Sequence, residues 1–102
     1  MRHAGPYRIV VLPLARKDAR AAVLYFHWRN PKLALDFADV LEQAHHTIED
    51  APLRWAEIEP GVRRYLLPRF PFVLYYQIVG TEVQVLRMLD QRRHPGAWRI
   101  PP

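Results

Sequence analysis

Cysteine is absent from this sequence of 102 residues. Neither disulfide bonds nor thiolate chemistry can therefore contribute to its stability or function, and such a composition fits a reducing compartment. No run of apolar residues approaches the roughly 20 that cross a bilayer, and the segment before Pro13 lacks the apolar stretch of a signal peptide. We therefore expect a soluble, cytoplasmic protein that makes no contact with membranes.

Lysine is almost missing as well. Of the 15 cationic residues, two are lysine (Lys17 and Lys32) and 13 are arginine, and ten acidic residues leave a formal net charge of +5. The planar guanidinium pairs bidentately with carboxylate or phosphate. The surplus of arginine therefore favours a polyanion or an acidic protein as partner, and a merely solvated basic surface is the alternative.

Internal repeats and low-complexity tracts are also absent from the sequence. Half of the residues are apolar and 12% are aromatic, which is too much hydrophobic material for a disordered chain. At this length the apolar residues can form one small core. We expect a single domain over residues 1–102.

The N-terminal half contains the signals of one strand and two helices. Tyr7–Leu12 is short, rich in β-branched residues and bounded by prolines, which predicts a strand. Apolar residues at helical spacing predict a first helix over Leu14–His27. Asn30 followed by Pro31 predicts the start of a second helix, which should end before Pro52.

The C-terminal half changes to the pattern of β-strands, with apolar and aromatic segments at Val62–Leu67, Phe70–Val79 and Val83–Leu89. Their short connections favour an antiparallel meander. The element order is therefore β-α-α-β-β-β. We expect an α+β fold with a small, mostly antiparallel sheet and a helical hairpin on one face, since each element has one apolar face to bury.

Several short features occur in an order that one known family shares. They are Ala15 and Asp18 at the start of the first helix, Pro60–Arg64, Phe70–Tyr76 and the tail Arg92–Trp98. Together they resemble the ParE branch of the RelE/ParE superfamily, and the similarity covers nearly the whole chain. The resemblance implies the fold derived above. It also implies a growth-arresting toxin of a bacterial type II toxin–antitoxin system, which a cognate antitoxin neutralises.

The two branches of this superfamily differ in their targets. RelE-like toxins cleave messenger RNA in the ribosome, whereas ParE-like toxins poison DNA gyrase. Metal-free RNA cleavage needs cations at the phosphate and groups that move protons. Val73 and Trp98 stand where the RelE pattern has Arg and Tyr. The resemblance therefore implies a gyrase poison without catalytic residues, and a ribosome-dependent endonuclease or a non-toxic binding module are the alternatives.

The residues expected to bind the target or the antitoxin are four cations and one aromatic anchor: Arg63, Arg87, Arg92, Arg93 and Trp98. Arg63 stands at an arginine position of the family. Its alternative is a structural ion pair with a helix carboxylate such as Asp18. For the other arginines, the alternative is a solvated edge that discourages strand-to-strand aggregation. Asp90 is a departure, because ParE-like sequences often have His there.

Other chemical groups are expected to be structural, so we expect no cofactor and no metal site. His45 and His46 are neighbours on a helix and point about 100° apart, which does not suit one metal ion. The carboxylates of the second helix are expected to be solvated: Asp36, Asp39, Glu42, Glu49 and Asp50. The strand aromatics are expected to pack in the core: Tyr65, Phe70, Phe72, Tyr75 and Tyr76. The expected partners are an antitoxin and gyrase, within a higher-order toxin–antitoxin oligomer, with no sequence-specific nucleic-acid binding.

Overall fold

Two long helices follow a short N-terminal strand, and four strands lie in the C-terminal half. The computed structural model describes residues 5–94 and 96–99. The main elements are β1 (Arg8–Val11), α1 (Pro13–Arg29), α2 (Pro31–Asp50), β2 (Glu57–Glu59), β3 (Val62–Leu66), β4 (Phe72–Val79) and β5 (Glu82–Asp90). Two short 3-10 turns, Pro52–Arg54 and Ala97–Arg99, follow α2 and β5. None of the helices in the described ranges is long and apolar enough to cross a membrane.

The five strands form one sheet in the order β1-β5-β4-β3-β2. β1 pairs with β5 in parallel, and the four C-terminal strands are antiparallel to their neighbours. The expected meander and the position of the first strand beside the last one in sequence are confirmed. The α+β fold with a helical hairpin on the sheet is confirmed as well.

Asn30 forms the corner of the helical hairpin. Its backbone N–H donates to the carbonyl of Phe26 at 2.8 Å and closes α1. Its side-chain oxygen accepts a hydrogen bond from the backbone N–H of Lys32 at 3.0 Å and caps α2. One residue therefore ends the first helix and begins the second, as the Asn-Pro pair predicted. α1 extends to Arg29, two residues beyond its predicted end at His27.

The main core lies between the helical hairpin and one face of the sheet. Phe26 and Phe37 from the helices pack against Phe70 and Phe72, with ring centroids between 5.1 and 6.2 Å apart. Aromatic rings at such distances stabilise a core beyond the area that they bury. The expectation that the strand aromatics are core residues is confirmed for the buried ones: Phe70, Tyr75 and Tyr76.

Two local features of the sheet differ from the prediction. Glu57–Glu59 forms a short edge strand that was not predicted, because two glutamates flank its single apolar residue, Ile58. The predicted strand at Phe70 begins only at Phe72, since Arg69 has a φ of 68° and the chain turns there. The Phe70 side chain is buried nonetheless.

A β-bulge in β5 decides which side chains face the helices. Tyr76 pairs with Val85 and Tyr75 with Arg87, so Leu86 is the extra residue. Val85 lies in the core under the helices, whereas Arg87 is the register partner of Tyr75. Without the bulge, the strict alternation of a strand would turn Arg87 to the same face as Val85.

Candidate functional site

Asp18 and Arg87 form a buried ion pair between α1 and β5. Arg87 donates from Nε to Oδ2 of Asp18 at 2.8 Å and from Nη2 to Oδ1 at 3.0 Å. The side chain of Arg87 is 6% exposed and that of Asp18 is 15% exposed. The hydrogen bonds to Asp18 raise the pKa of Arg87 above its usual value. Arg87 is therefore buried in a structural contact with α1, and the alternative of a solvated edge is wrong at this residue.

The strand geometry explains why a carboxylate is needed at Asp18. β1 pairs only with the first part of β5, from Glu82 to Val85. Beyond that point α1 covers this side of β5, and Asp18 Oδ2 accepts a hydrogen bond from the backbone N–H of Met88 at 3.0 Å. The helix carboxylate thus satisfies a backbone donor that no strand reaches among the described residues.

Glu49 of α2 performs the same task for β1. Its Oε2 accepts a hydrogen bond from the backbone N–H of Ile9 at 2.9 Å, and its side chain is buried. The prediction that Glu49 belongs to a solvated face is therefore wrong. The error arises because the end of α2 packs beside the edge strand, which helical periodicity alone does not reveal. The other predicted solvated carboxylates of α2 are exposed or half-buried.

Arg63 binds the turn that follows α2. Its Nη1 donates to the backbone carbonyl of Trp55 at 2.6 Å and to that of Leu53 at 3.3 Å. Its Nη2 lies 3.9 Å from Glu57 Oε2. The alternative of a structural arginine describes these contacts, although the suggested partner was wrong, because Asp18 pairs with Arg87.

Asp90 organises the exposed turn after β5. It accepts hydrogen bonds from the backbone N–H of Arg92 at 2.9 Å and from the Arg92 guanidinium at 2.9 and 2.8 Å. The side-chain hydrogen bonds to Arg92 lower the pKa of Asp90 to about 2. Arg92 and Arg93 are both exposed. The Asp90 carboxylate thus balances the charge of Arg92, and the positive potential of this turn comes mainly from Arg93.

Trp98 closes a second, smaller apolar cluster that also contains Val73 and Leu89. Its ring stacks on Tyr75 with centroids 6.3 Å apart and an interplanar angle of 23°. The guanidinium of Arg99 lies 4.9 Å from the centroid of the indole, and Arg99 also pairs with Glu59 of β2. Trp98 Nε1 is buried without a hydrogen-bond partner among the described residues.

Four of the five expected binding residues border two grooves along α1. A groove of about 740 Å³ lies beside the start of α1 and is lined by Arg87 and Trp98. A second groove of about 630 Å³ lies farther along the helix and is lined by Arg87, Arg92 and Arg93. Arg63 lies elsewhere, against the turn after α2. The structure therefore brings the other four residues to one side of α1 and places Arg63 apart from them.

Tyr25 of α1 was not expected to belong to this surface, although it lines the second groove. It is half-exposed, and the guanidinium of Arg29 lies 3.8 Å from its ring centroid. The sequence contains a usable signal for it, because Leu24, Tyr25 and Trp28 lie outside the apolar stripe that packs α1 on the sheet. Apolar residues on a second helix face indicate another contact.

The two histidines of α2, His45 and His46, lie close to each other and to Glu42. His46 Nε2 lies 3.8 Å from Glu42, while burial and, to a smaller extent, His46 lower the pKa of His45. Within residues 5–94 and 96–99, no group of three or more His, Asp or Glu side chains is arranged to hold a metal ion.

The fold is also found in a solved toxin–antitoxin system. A chain of the chromosomal ParDE toxin–antitoxin system from P. aeruginosa has the same fold, with a TM-score of 0.74 at 23% sequence identity, covering 82% of this chain and 95% of that chain. The family described as ParE toxin of the type II toxin–antitoxin system, parDE, matches residues 9–95. The protein belongs to this toxin family.

A curated relative is Toxin RelE1 of Caulobacter vibrioides. It is 26% identical over 91 residues, which cover 84% of this chain and 98% of the relative. This similarity is consistent with membership of the RelE/ParE superfamily.

Proposed function

We propose that this toxin arrests growth by binding and poisoning DNA gyrase, without ribonuclease chemistry, and that a cognate antitoxin neutralises it. The observation that carries this proposal is the apolar cluster beneath Trp98. Val73 is 3% exposed and packs with Leu89 and Trp98. Neither a phosphate-binding cation nor a proton-transferring phenol occupies these two positions.

The chemistry of RNA cleavage supports this choice. A positioned acid or base contributes about 10²- to 10⁴-fold to a rate, and the indole of Trp98 cannot act as either. A buried valine cannot contact a phosphate. Binding a large protein needs neither group, because an aromatic anchor and arginine forks supply the binding free energy of many interfaces.

One cleft supports ribonuclease activity as a second candidate function. It has a volume of about 140 Å³, and its walls contain Arg64, Tyr75 and Glu59. These residues offer a cation, a phenol and a carboxylate. However, Glu59 pairs with Arg99, and Trp98 stacks on the ring of Tyr75. The gyrase proposal therefore has the better support.

We assign the proposed target contacts to Arg92, Arg93 and Trp98, which border the grooves beside α1. Arg87 is proposed to support this surface, whereas Arg63, which lies apart from it, is proposed to have a structural role. Arg87 fixes α1 through Asp18, and Arg63 fixes the turn after α2. The antitoxin should mask this surface within a larger toxin–antitoxin assembly.

Two assays test the proposed function with the purified protein. The first measures supercoiling and cleavage-complex formation by gyrase, and the second measures messenger cleavage on translating ribosomes. We expect inhibition of gyrase, weakened in Arg93→Ala, and no messenger cleavage. Arg54→Ala is a control on another exposed arginine. Messenger cleavage that is lost in Arg64→Ala, with gyrase unaffected, would establish the ribonuclease function instead.

A further inference from the structure

α1 carries a second apolar face, which lies outside both apolar clusters of the described residues. Its core face is formed by Ala15, Ala22 and Phe26, which are buried against the sheet. On another side of the same helix, Leu24 is 55% exposed and Trp28 is 81% exposed. We call the exposed residues of this face the α1 stripe: Leu14, Ala21, Leu24, Tyr25 and Trp28.

The spacing of the α1 stripe matches the seam of a helix pair. Leu14, Ala21 and Trp28 are seven residues apart, and Leu24 lies three residues after Ala21. A repeat of this kind presents knobs to a partner helix. Since a helix rises about 1.5 Å per residue, the stripe extends for about 21 Å. A partner helix of about four turns would cover it.

Positive charge borders the α1 stripe on both sides. Lys17, three residues after Leu14, is exposed at a seam position between the apolar residues, and Arg20 is exposed on the outer flank of the stripe. On the groove side, Arg29 lies over Tyr25, and Arg92 and Arg93 line the groove. The single acidic residue of α1, Asp18, is engaged by Arg87. The flanks therefore attract a helix whose edges carry carboxylates.

A second copy of this chain fits the stripe poorly. If two copies paired in parallel, Lys17 would meet Lys17. If they paired antiparallel about Ala21, Lys17 would approach Tyr25, where Arg29 already lies 3.8 Å from the ring centroid. Like charges that face each other across an interface disfavour the pairing.

We propose that the α1 stripe docks an acidic amphipathic helix of a protein partner. This inference rests on the proposed function, because it assigns the stripe to the antitoxin as its docking site. The apolar face of the partner helix covers Leu24 and Trp28, and its carboxylates lie near Lys17, Arg20 and Arg93. Burial of large aromatic and aliphatic side chains provides the affinity, and the charges select the partner.

A designed helix tests this proposal with the full chain. The probe is a fluorescein-labelled peptide of about 21 residues, with leucine at the two seam positions of each heptad and glutamate at the flanking positions. A matched peptide carries lysine in place of glutamate. Fluorescence anisotropy measures both dissociation constants. We expect the acidic peptide to bind and the lysine peptide to bind at least about tenfold more weakly.

Variants locate the bound peptide. Leu24→Gln and Trp28→Gln should each weaken the acidic peptide by about tenfold or more, as expected of interface anchors. Leu66→Gln is the matched control, because Leu66 on β3 is 58% exposed and lies outside the stripe. Lys17→Gln with Arg20→Gln should weaken binding less and should reduce its dependence on salt. Circular dichroism shows whether each variant remains folded.

Several results would overturn the proposal. They are equal binding of both peptides, no binding of either, unchanged binding in the stripe variants, self-association that Trp28→Gln abolishes, and binding to anionic lipid vesicles that the stripe variants lose. The gyrase assay separates the two claims. Gyrase inhibition without peptide binding rejects the docking site alone, whereas peptide binding without gyrase inhibition rejects only the proposed target.

Discussion

Asp18 and Arg87, which are 69 residues apart in sequence, are joined by two hydrogen bonds of 2.8 and 3.0 Å. Asp18 also accepts the backbone N–H of Met88. The pair fastens α1 over the part of β5 that β1 does not reach. Arg87 lines both grooves beside α1 and Asp18 lines the second, so the scaffold and the proposed binding surface share these residues.

Removing one member of this pair should destabilise the fold strongly. Arg87→Ala leaves the Asp18 carboxylate buried without its cation, and broken buried pairs typically cost about 3 to 5 kcal/mol. Chemical denaturation measures the change in the free energy of unfolding. Arg93→Ala, in the exposed turn that follows the same strand, is the control and should change stability little. A loss below about 1 kcal/mol for Arg87→Ala would contradict the structural role.

Arg63 and Arg64 form a matched pair for a second prediction. Arg63→Ala should release the carbonyls of Leu53 and Trp55 and lower stability by about 1.5 to 3 kcal/mol, the range for hydrogen bonds to a charged group. Hydrogen exchange should increase in residues 52–57. Arg64→Ala should affect neither measurement, since Arg64 is exposed. If both variants behave alike, Arg63 does not hold the turn.

The regular elements of this fold could be predicted because their periodicity is local. The Asn30-Pro31 pair and the apolar stripe of α2 show its start and its core face within one segment. The roles of individual polar residues could not be predicted in this way. Arg87 pairs with Asp18, which is 69 residues away in sequence. The bulge at Leu86 determines on which face of the sheet the Arg87 side chain lies. Neither feature leaves a mark on local sequence.

The candidate surface was predictable only in part, because its charged residues are visible in the local sequence but their contacts are not. Arg92 and Arg93 are visible as a charged segment after the last strand, but Asp90, the partner of Arg92, was noted only as a departure from the family. The edge strand at Glu57–Glu59 has one apolar residue and depends on pairing with β3. A segment that short is stabilised by its neighbours and has little strand propensity of its own.

Trp98 is expected to stabilise the fold through its stacking contact with Tyr75. The stacked rings should couple by about 0.5 to 1.5 kcal/mol in a double-mutant cycle of Trp98→Ala and Tyr75→Leu. Trp98→Phe should retain part of this coupling, because a smaller ring can still stack. Denaturation curves of the single and double variants give the coupling free energy. Additive effects would show that the stacked geometry contributes nothing to stability.

His45 should make the protein less stable in mild acid. Burial lowers its pKa below 6.5, so the unfolded chain binds the proton more readily than the folded chain. Stability should therefore fall as the pH drops below 6.5 towards the folded-state pKa. An NMR titration of His45 measures that pKa. His45→Gln should remove this part of the pH dependence, although His46, Glu42 and Glu49 remain nearby. A His45 pKa at or above 6.5 would reverse the expected slope.

Asp90 should restrain the binding surface, because it engages Arg92 through the guanidinium and the backbone. Asp90→Ala removes that negative charge and leaves the guanidinium available to an anionic site on the target. We expect the toxin concentration for half-inhibition of gyrase to fall by about two- to fivefold, as for one exposed charge pair. Arg92→Ala should raise it. In the double variant the gain should disappear, since the cation that produced it is gone. A gain that persists without Arg92 would mean that Asp90 repels the target directly, and no change in Asp90→Ala would exclude Arg92 from the contact.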